Sequence, residues 1–435
     1  MMTKLIKNAK IITMADLGIV NGYAFIKEGQ FVEIKEGIPP KQLEATANEV
    51  IDANGKWMTP GLINTHGHTG MALLRGHSDD LPLHRWLKEK MWPFEAKQDF
   101  EAIKAGREMA IAEMLLSGTT TFLEMYHLFI DEFAEQLSEI GVRATLMRSM
   151  IGLCSREEQE EKLTEAVSLA KKWHNHADGR LQMMLAPHAP YTCPPLFIER
   201  IVEEASLLQL PVHMHLAETS KEVHDHIESY GVHPFDHLKQ LGVLDKVPWL
   251  FAHCVHMNEE QIEQMPEYDV SVSYNPKSNL KLGSGFAQIA EMMKKGVNVA
   301  LGTDSVASNN TLNLFEELRI GVLLQKGLHQ DPTVLKAFEA FKIATVNGAT
   351  ALSLNKVGKI QIGYKADFIL LTNEEPHLQP NEHVYSHLIY AANGSDVTDV
   401  FVQGKQLVKN RQLTTLDQEQ IMYNANMAYH RIHHS

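Results

Sequence analysis

His66-Gly67-His68 is where the chemistry of this chain begins. At i and i+2 of an extended segment two imidazoles leave the same face and can grip one cation. Further ionisable residues also end short apolar runs: His188, His215 with Glu218 three residues on, His253, and Asp304. Each alone is weak, because a lone histidine at the end of a strand is more often a hydrogen-bonded loop residue than a ligand. Their co-occurrence says more. His66, His68, His215 and Asp304 supply three imidazoles and a carboxylate, a mixed nitrogen and oxygen set suited to one divalent cation, zinc or iron(II). The implied chemistry is hydrolytic, since such a cation lowers the pKa of its water from ~15.7 toward ~7. His213 shares the inward face of its run with His215 but falls one layer deeper, so it reads as a hydrogen-bonded core histidine. His188 stands where a carbamylated lysine could have bridged two metals, which makes one ion the simpler count.

These residues need a scaffold that brings them to one place. From Met58 to about Leu354, apolar runs of strand length alternate with segments of helical period, an order that implies a parallel sheet. The expected strands are Gly61–Thr65, Thr120–Glu124, Ala144–Ser149, Leu181–Pro187, Pro211–Leu216, Trp249–His253, Val270–Tyr274 and Val297–Gly302. Helices are expected over Asp99–Ser117, Arg156–Asn175, Pro194–Leu208, Asn258–Met265 and Asn313–Gly327. Eight strand–helix units in about 300 residues favour a TIM-type (β/α)8 barrel, whose active site lies at the carboxyl ends of the strands. That end is where the ionisable residues fall. A doubly wound open sheet is the alternative, since periodicity does not show closure. Both chain ends are β-rich, with strands expected over Lys4–Met14, Tyr23–Lys27, Phe31–Ile34, Ala366–Leu371 and Val397–Gln403. The chain therefore divides into residues 1–57 and 360–435, the two parts of a small β-sandwich module, and a barrel over residues 58–359.

Composition narrows the function classes. With 44% hydrophobic and 22% charged residues in 435, the chain is an ordinary folded one, and disorder or a fibrous repeat is excluded. A net charge of −14 with no basic block makes nucleic acid and anionic membrane poor partners. Cys154, Cys193 and Cys254 are too few and too scattered for a disulfide framework or a four-cysteine zinc site. With no apolar run near ~18 residues and no leader-like stretch between Met1 and Met14, a cytoplasmic location is expected. A homo-oligomer is allowed for. Of the 23 histidines, His224, His226, His233 and His237 read as surface residues, and His433-His434 as tail.

The segment Met58-Thr59-Pro60-Gly61-Leu62-Ile63-Asn64-Thr65-His66-Gly67-His68, followed by His215, Glu218, His253 and Gly302-Thr303-Asp304-Ser305, closely resembles the amidohydrolase superfamily of metal-dependent hydrolases. The likeness spans nearly the whole chain. Trp86-Leu87 through Trp92-Pro93-Phe94-Glu95, Glu113 to Thr121, His188-Ala189-Pro190-Tyr191-Thr192 and Ser278-Asn279-Leu280-Lys281-Leu282 are similar to its 5′-methylthioadenosine/S-adenosylhomocysteine deaminase branch. The resemblance implies a metal-dependent aminohydrolase acting on a small purine nucleoside. It places His66, His68, His215 and Asp304 on the metal, and Glu95, Arg148, His188, Glu218 and Asp304 on the substrate. Arg143 precedes the same strand as Arg148 and should lie at the opposite end of the barrel.

Deamination of an adenine ring needs a nucleophile, a proton for the ring nitrogen and an acceptor for the proton of water. Asp304 is the expected acceptor, His253 orients the nucleophile and stabilises charge in the adduct, and Glu218 protonates the ring nitrogen and helps return a proton to the leaving amine. Plainer roles stand beside these. Glu218 could brace a ligand histidine, Glu95 could cap a helix or pair with Lys97 instead of touching a ribose hydroxyl, and Arg148 could sit in a buried ion pair instead of gripping a substrate carboxylate. Trp86 and Trp92 read as packing, and Cys254 as a buried filler. The same rim would also serve guanine, cytosine or a chloro- or amino-triazine, and a catalytically silent scaffold would retain the fold.

Overall fold

The computed structural model describes residues 2–434. The eight expected barrel strands are present: Leu62–Asn64, Thr119–Tyr126, Arg143–Met150, a fourth broken into Leu181–Met183 and Ala186–Pro187, then Val212–Leu216, Trp249–His253, Val270–Tyr274 and Asn298–Leu301. All neighbouring pairs run parallel, from Leu62 opposite Thr119 round to Tyr274 opposite Leu301. Two sets of backbone bonds close the ring. His213 N donates to Leu185 O at 3.0 Å between the fourth and fifth strands, and Thr65 N donates to Leu301 O at 2.9 Å between the first and eighth. The open-sheet alternative therefore falls away.

Alternation along the strands explains the two sides of this wall. Phe122, Leu146, Phe251 and Val299 face the helices, whereas Leu123, Met147, Leu250 and Ala300 fill the lumen. A short helix, Val346–Ala351, packs Gly348 against Ile63, where any Cβ would come within 2.8 Å of that side chain. The outer helices begin where the sequence puts their caps. Asp99, Ser155, Asn258 and Asn313 each accept a backbone N–H from the first turn, satisfying a donor that the helix cannot pair internally.

The two chain ends form one nine-stranded sheet, in which Thr3–Ile12 lies beside Trp57–Pro60 and Trp57–Pro60 beside Phe368–Leu371. The strand Trp57–Pro60 spans the division expected after residue 57. The sheet folds over a core of its own that includes Ile6, Phe31, Phe368 and Phe401, and a bridge between Gln30 and Lys365 joins its distant parts. Arg143, at the amino end of the third barrel strand, forms a buried bidentate pair with Asp367 of this module, Nε to Oδ2 at 2.6 Å and Nη2 to Oδ1 at 3.2 Å. It faces away from the rim, as its position before the strand implies.

The helix Gln418–His433 returns to the barrel. Its Tyr429 stacks on Phe94 at 5.7 Å and its Arg431 binds Asp99 through both guanidinium nitrogens, bracing the segment that carries Glu95. Two of the histidines read as surface residues are buried instead. His226 shares a hydrogen bond with His237 at 2.9 Å, and His233 accepts from Phe235 N while its Nε2 meets His256 O. An imidazole can serve both ends of a buried hydrogen-bond chain, which periodicity does not reveal.

Candidate metal centre and active site

The carboxyl ends of the first, fourth, fifth, sixth and eighth strands meet at the closed end of a cavity of about 840 Å³. His68, His188, His215, Glu218, His253 and Asp304 line it together with Trp86 and Leu128, and the exposed Trp92 and Leu153 stand at its mouth. The backbone turns sharply there. His253 and Asp304 have φ of 75° and 59°, and Ala217, before Glu218, has φ of 50°. Residues with side chains rarely hold that conformation, and they do so mostly where surrounding structure fixes a functional group. Gly302 is needed for the approach, since a Cβ there would lie 2.8 Å from that of His66.

The metal-binding fit can be tested from the donors. The ligand atoms of His66, His68 and His215 all lie within 4.8 Å of one another, as do those of His66, His253 and Asp304. Asp304 Oδ1 stands 3.4 Å from His66 Nε2 and 3.3 Å from His68 Nε2. Those separations are long for hydrogen bonds, yet they match the ~3.3 Å edge of a tetrahedron with arms of ~2.0–2.1 Å, the usual zinc–ligand length. Among the described residues His66 Nε2 is buried with no partner, a lone pair kept dry. The set fits a divalent cation.

Second partners decide which imidazoles can be ligands. A main-chain carbonyl only accepts, so the ring nitrogen facing it carries the proton and the other nitrogen keeps its lone pair. His68 Nδ1 faces Met125 O at 2.6 Å and His215 Nδ1 faces His188 O at 2.8 Å, so both present Nε2 lone pairs inward. His253 is opposite in kind. Its Nδ1 meets the Asn279 amide nitrogen at 2.9 Å and the Asn275 amide nitrogen at 3.4 Å, which leaves a proton on Nε2, 3.9 Å from Glu218 Oε2. His253 is thereby a donor aimed into the cavity. Burial first, and then the neighbouring imidazoles against the pull of Asp304, leave it neutral with a pKa of about 3.

Their neighbours drive the two carboxylates apart in acidity. Glu218 is raised well above the usual range by burial and then by the charges of Asp304 and Glu222. Burial also opposes ionisation of Asp304, but the imidazoles of His66 and His68 overcome it and hold that carboxyl well below its usual value. Two carboxyls in one cavity are thus poised as an acid and a base. Asp304 Oδ2 accepts from the hydroxyls of Ser278 at 2.5 Å and Ser308 at 3.1 Å, while Oδ1 accepts from Ser305 N at 2.7 Å and faces the histidines.

The remaining expected residues line the same cavity. Glu95 neither caps a helix nor pairs with Lys97, and its carboxylate accepts from the Tyr126 hydroxyl at 2.7 Å. His188 Nδ1 meets Thr192 Oγ1 at 3.0 Å, and burial lowers its pKa to about 3. Arg148 lies on the wall, binding the half-exposed Glu165 at 2.8 Å and Ser149 O at 2.7 Å. Trp86 is buried with its indole N–H on Ser78 O, whereas Trp92 is partly exposed at the mouth. Cys254 is wholly buried, and burial pushes its thiol up.

Several supporting residues escaped the sequence reading. Glu124 accepts from Thr69 N, Thr69 Oγ1 and Gly70 N at 2.6–3.2 Å, clamping the turn after His68, and it pairs with buried Arg107. Glu222, with a carboxyl raised to about 7 by burial, accepts from Ala217 N and Glu218 N and so fixes the backbone of Glu218. The second strand runs on to Tyr126, two residues past its expected end, and this carries Met125 and Tyr126 into the rim.

Comparison with known proteins agrees with this geometry. Residues 57–407 match the Amidohydrolase family. The chain is 55% identical over 433 residues to a protein of Shouchella clausii named 5-methylthioadenosine/S-adenosylhomocysteine deaminase, covering 99% of this chain and 100% of the other. An adenosine deaminase from Xanthomonas campestris, solved with bound zinc, superposes with a TM-score of 0.93 at 33% identity, over 99% of each chain. A triazine hydrolase from Arthobacter aurescens superposes with a TM-score of 0.89 at 22% identity, over 99% of this chain and 100% of that one, a likeness of fold alone.

Proposed function

The chain belongs to the amidohydrolase family, and from that premise we propose that it is a metal-dependent deaminase converting 5′-methylthioadenosine or S-adenosylhomocysteine to the inosine-type product and ammonia. The observation that carries this reading is the meeting of Glu218, His253 and Asp304 in one cavity beside the imidazoles of His66, His68 and His215, with Glu218 pushed toward its acid form by burial and Asp304 toward its anion by the histidines.

His66, His68, His215 and Asp304 would hold a single cation. Zinc is proposed, supported by the N3O donor set and by the zinc of the Xanthomonas deaminase, and iron(II) suits the same donors. Bound there, it would lower the pKa of its water toward ~7 and so supply a nucleophile at neutral pH. The chain's own residues do the rest. The Asp304 carboxylate takes a proton from the attacking water, and the His253 Nε2 proton orients the incoming oxygen. As that oxygen bonds to C6, Glu218 gives its proton to the adjacent ring nitrogen. The C6–N bond then breaks, the amine leaves as ammonia with the proton that Asp304 took from water, and the proton of the new C6 hydroxyl returns to Glu218 as the carbonyl forms. Glu95 is proposed for the ribose hydroxyls, His188 for a further substrate contact through its cavity-facing Nε2, and Arg148 for a carboxylate on the 5′-substituent, for which Glu165 now stands in.

The cavity volume suits a nucleoside with an extended substituent, and its apolar mouth suits a thioether. The partner is therefore proposed to be a small purine nucleoside, without nucleic acid or membrane. No helix is long and apolar enough to cross a membrane among the described residues. A cytoplasmic location is proposed on the three unbridged cysteines. The test is ammonia release from adenosine, methylthioadenosine, S-adenosylhomocysteine, guanine and a chlorotriazine. Turnover led by the two thioether nucleosides is expected, and turnover of guanine or the triazine alone would overturn the substrate assignment.

A further inference from the structure

His213 is fully buried and lies one layer beneath the rim, between His66 and the sixth strand. A neutral imidazole has one N–H and one lone pair, so fixing either nitrogen fixes both. The main-chain oxygen of Leu250 lies 2.8 Å from His213 Nδ1 and can only accept, so the proton is on Nδ1 and Nε2 is a lone pair. That lone pair lies 2.9 Å from His66 Nδ1. His66 must therefore donate from Nδ1, and its own lone pair is left on Nε2, the buried atom without a partner that faces Asp304.

We propose that His213 is a positioning residue that sets the tautomer and ring orientation of His66 for the cation, relaying a constraint that begins at the Leu250 carbonyl. The proposal rests on His66 being a ligand, as read above. It singles out one of the three imidazole ligands. His68 and His215 lean directly on main-chain carbonyls, which no side-chain substitution removes, whereas the orientation of His66 depends on a side chain. Loss of the acceptor would leave His66 free to move its proton to Nε2, where it would block the lone pair that must meet the metal. The partner of a metal-bound histidine typically accounts for 10–100-fold in affinity.

The test compares zinc affinity, by competition with a chromophoric chelator, in the wild type, His213→Leu and His213→Gln. Leucine should weaken binding about 10–100-fold, and glutamine, whose carbonyl can accept from His66 Nδ1, should restore most of it. Melting of the metal-free proteins separates this from a folding defect. Long-range proton–nitrogen spectra of histidine-labelled wild type, with His213 identified by its absence in His213→Gln, should show that ring protonated at Nδ1 only. Zinc binding by His213→Leu within twofold of wild type, or a His213 protonated at Nε2, would overturn the inference while leaving the metal site standing. A wild type that takes up no zinc at all would overturn the ligand reading and this inference with it.

Discussion

Glu218 Oε2 and His253 Nε2 face each other across 3.9 Å of cavity, one a carboxyl that burial pushes toward its acid form and the other an imidazole whose proton points inward. The gap is too wide for a hydrogen bond, yet narrow enough for both groups to reach one reacting centre lying beside them. From it and the histidines opposite, the following outcomes are expected.

Glu218→Gln should retain the metal and lose kcat by ~10² or more, the scale that general acid catalysis supplies. The pH profile checks the assignment further. Burial raises Glu218 well above its ordinary value of 4.5, so its acid form persists to higher pH than an exposed carboxyl's and is lost as pH rises through that elevated value. Activity should fall on the alkaline side for this reason, and the limb assigned to Glu218 should be missing from the residual activity of the variant. Unchanged kcat would remove Glu218 from the mechanism.

His68→Ala should empty the cation site, read as metal per chain by elemental analysis of the purified protein. Its Nε2 is 3.3 Å from Asp304 Oδ1 and its tautomer is held by Met125 O, so no neighbour substitutes for it. A full equivalent of metal in this variant would show that the ligand set is wrong.

Glu95→Gln should lower kcat/KM for adenosine-type substrates by about 10–100-fold, the value of a hydrogen bond to a charged acceptor. Tyr126→Phe, which removes the hydroxyl that orients Glu95, should have a smaller effect in the same direction. Intact turnover in Glu95→Gln would exclude the ribose contact.

The legibility of these residues in the sequence follows from where they sit. His66, His68, His215, His253 and Asp304 each end an apolar run, so strand periodicity and barrel geometry together point to them. Glu124 and Glu222 are different, because each acts by binding backbone N–H groups that only the folded turn presents. Tyr126 was missed because the second strand continues beyond the expected Glu124. The role of His213 depends on a nitrogen 2.9 Å away on another strand, 147 residues distant in sequence. Closure of the barrel and union of the two chain ends are long-range matters of the same kind, which local pattern indicates but does not specify.

Asp367→Ala should destabilise the fold by about 3–5 kcal/mol, the usual consequence of leaving a buried charge without its partner. Here the stranded charge is Arg143, far from the rim. Denaturant melts should show the loss while kcat at low temperature stays near wild type. A normal midpoint would mean that the joint between module and barrel does not depend on this pair.

The central claim is that one cation, held by His66, His68, His215 and Asp304, is required for ammonia release. The direct measurement is methylthioadenosine deamination by chelator-stripped protein titrated with zinc. The account predicts no turnover after stripping and full recovery at one equivalent per chain. Turnover that survives complete removal of metal, or recovery that needs two equivalents, would contradict it.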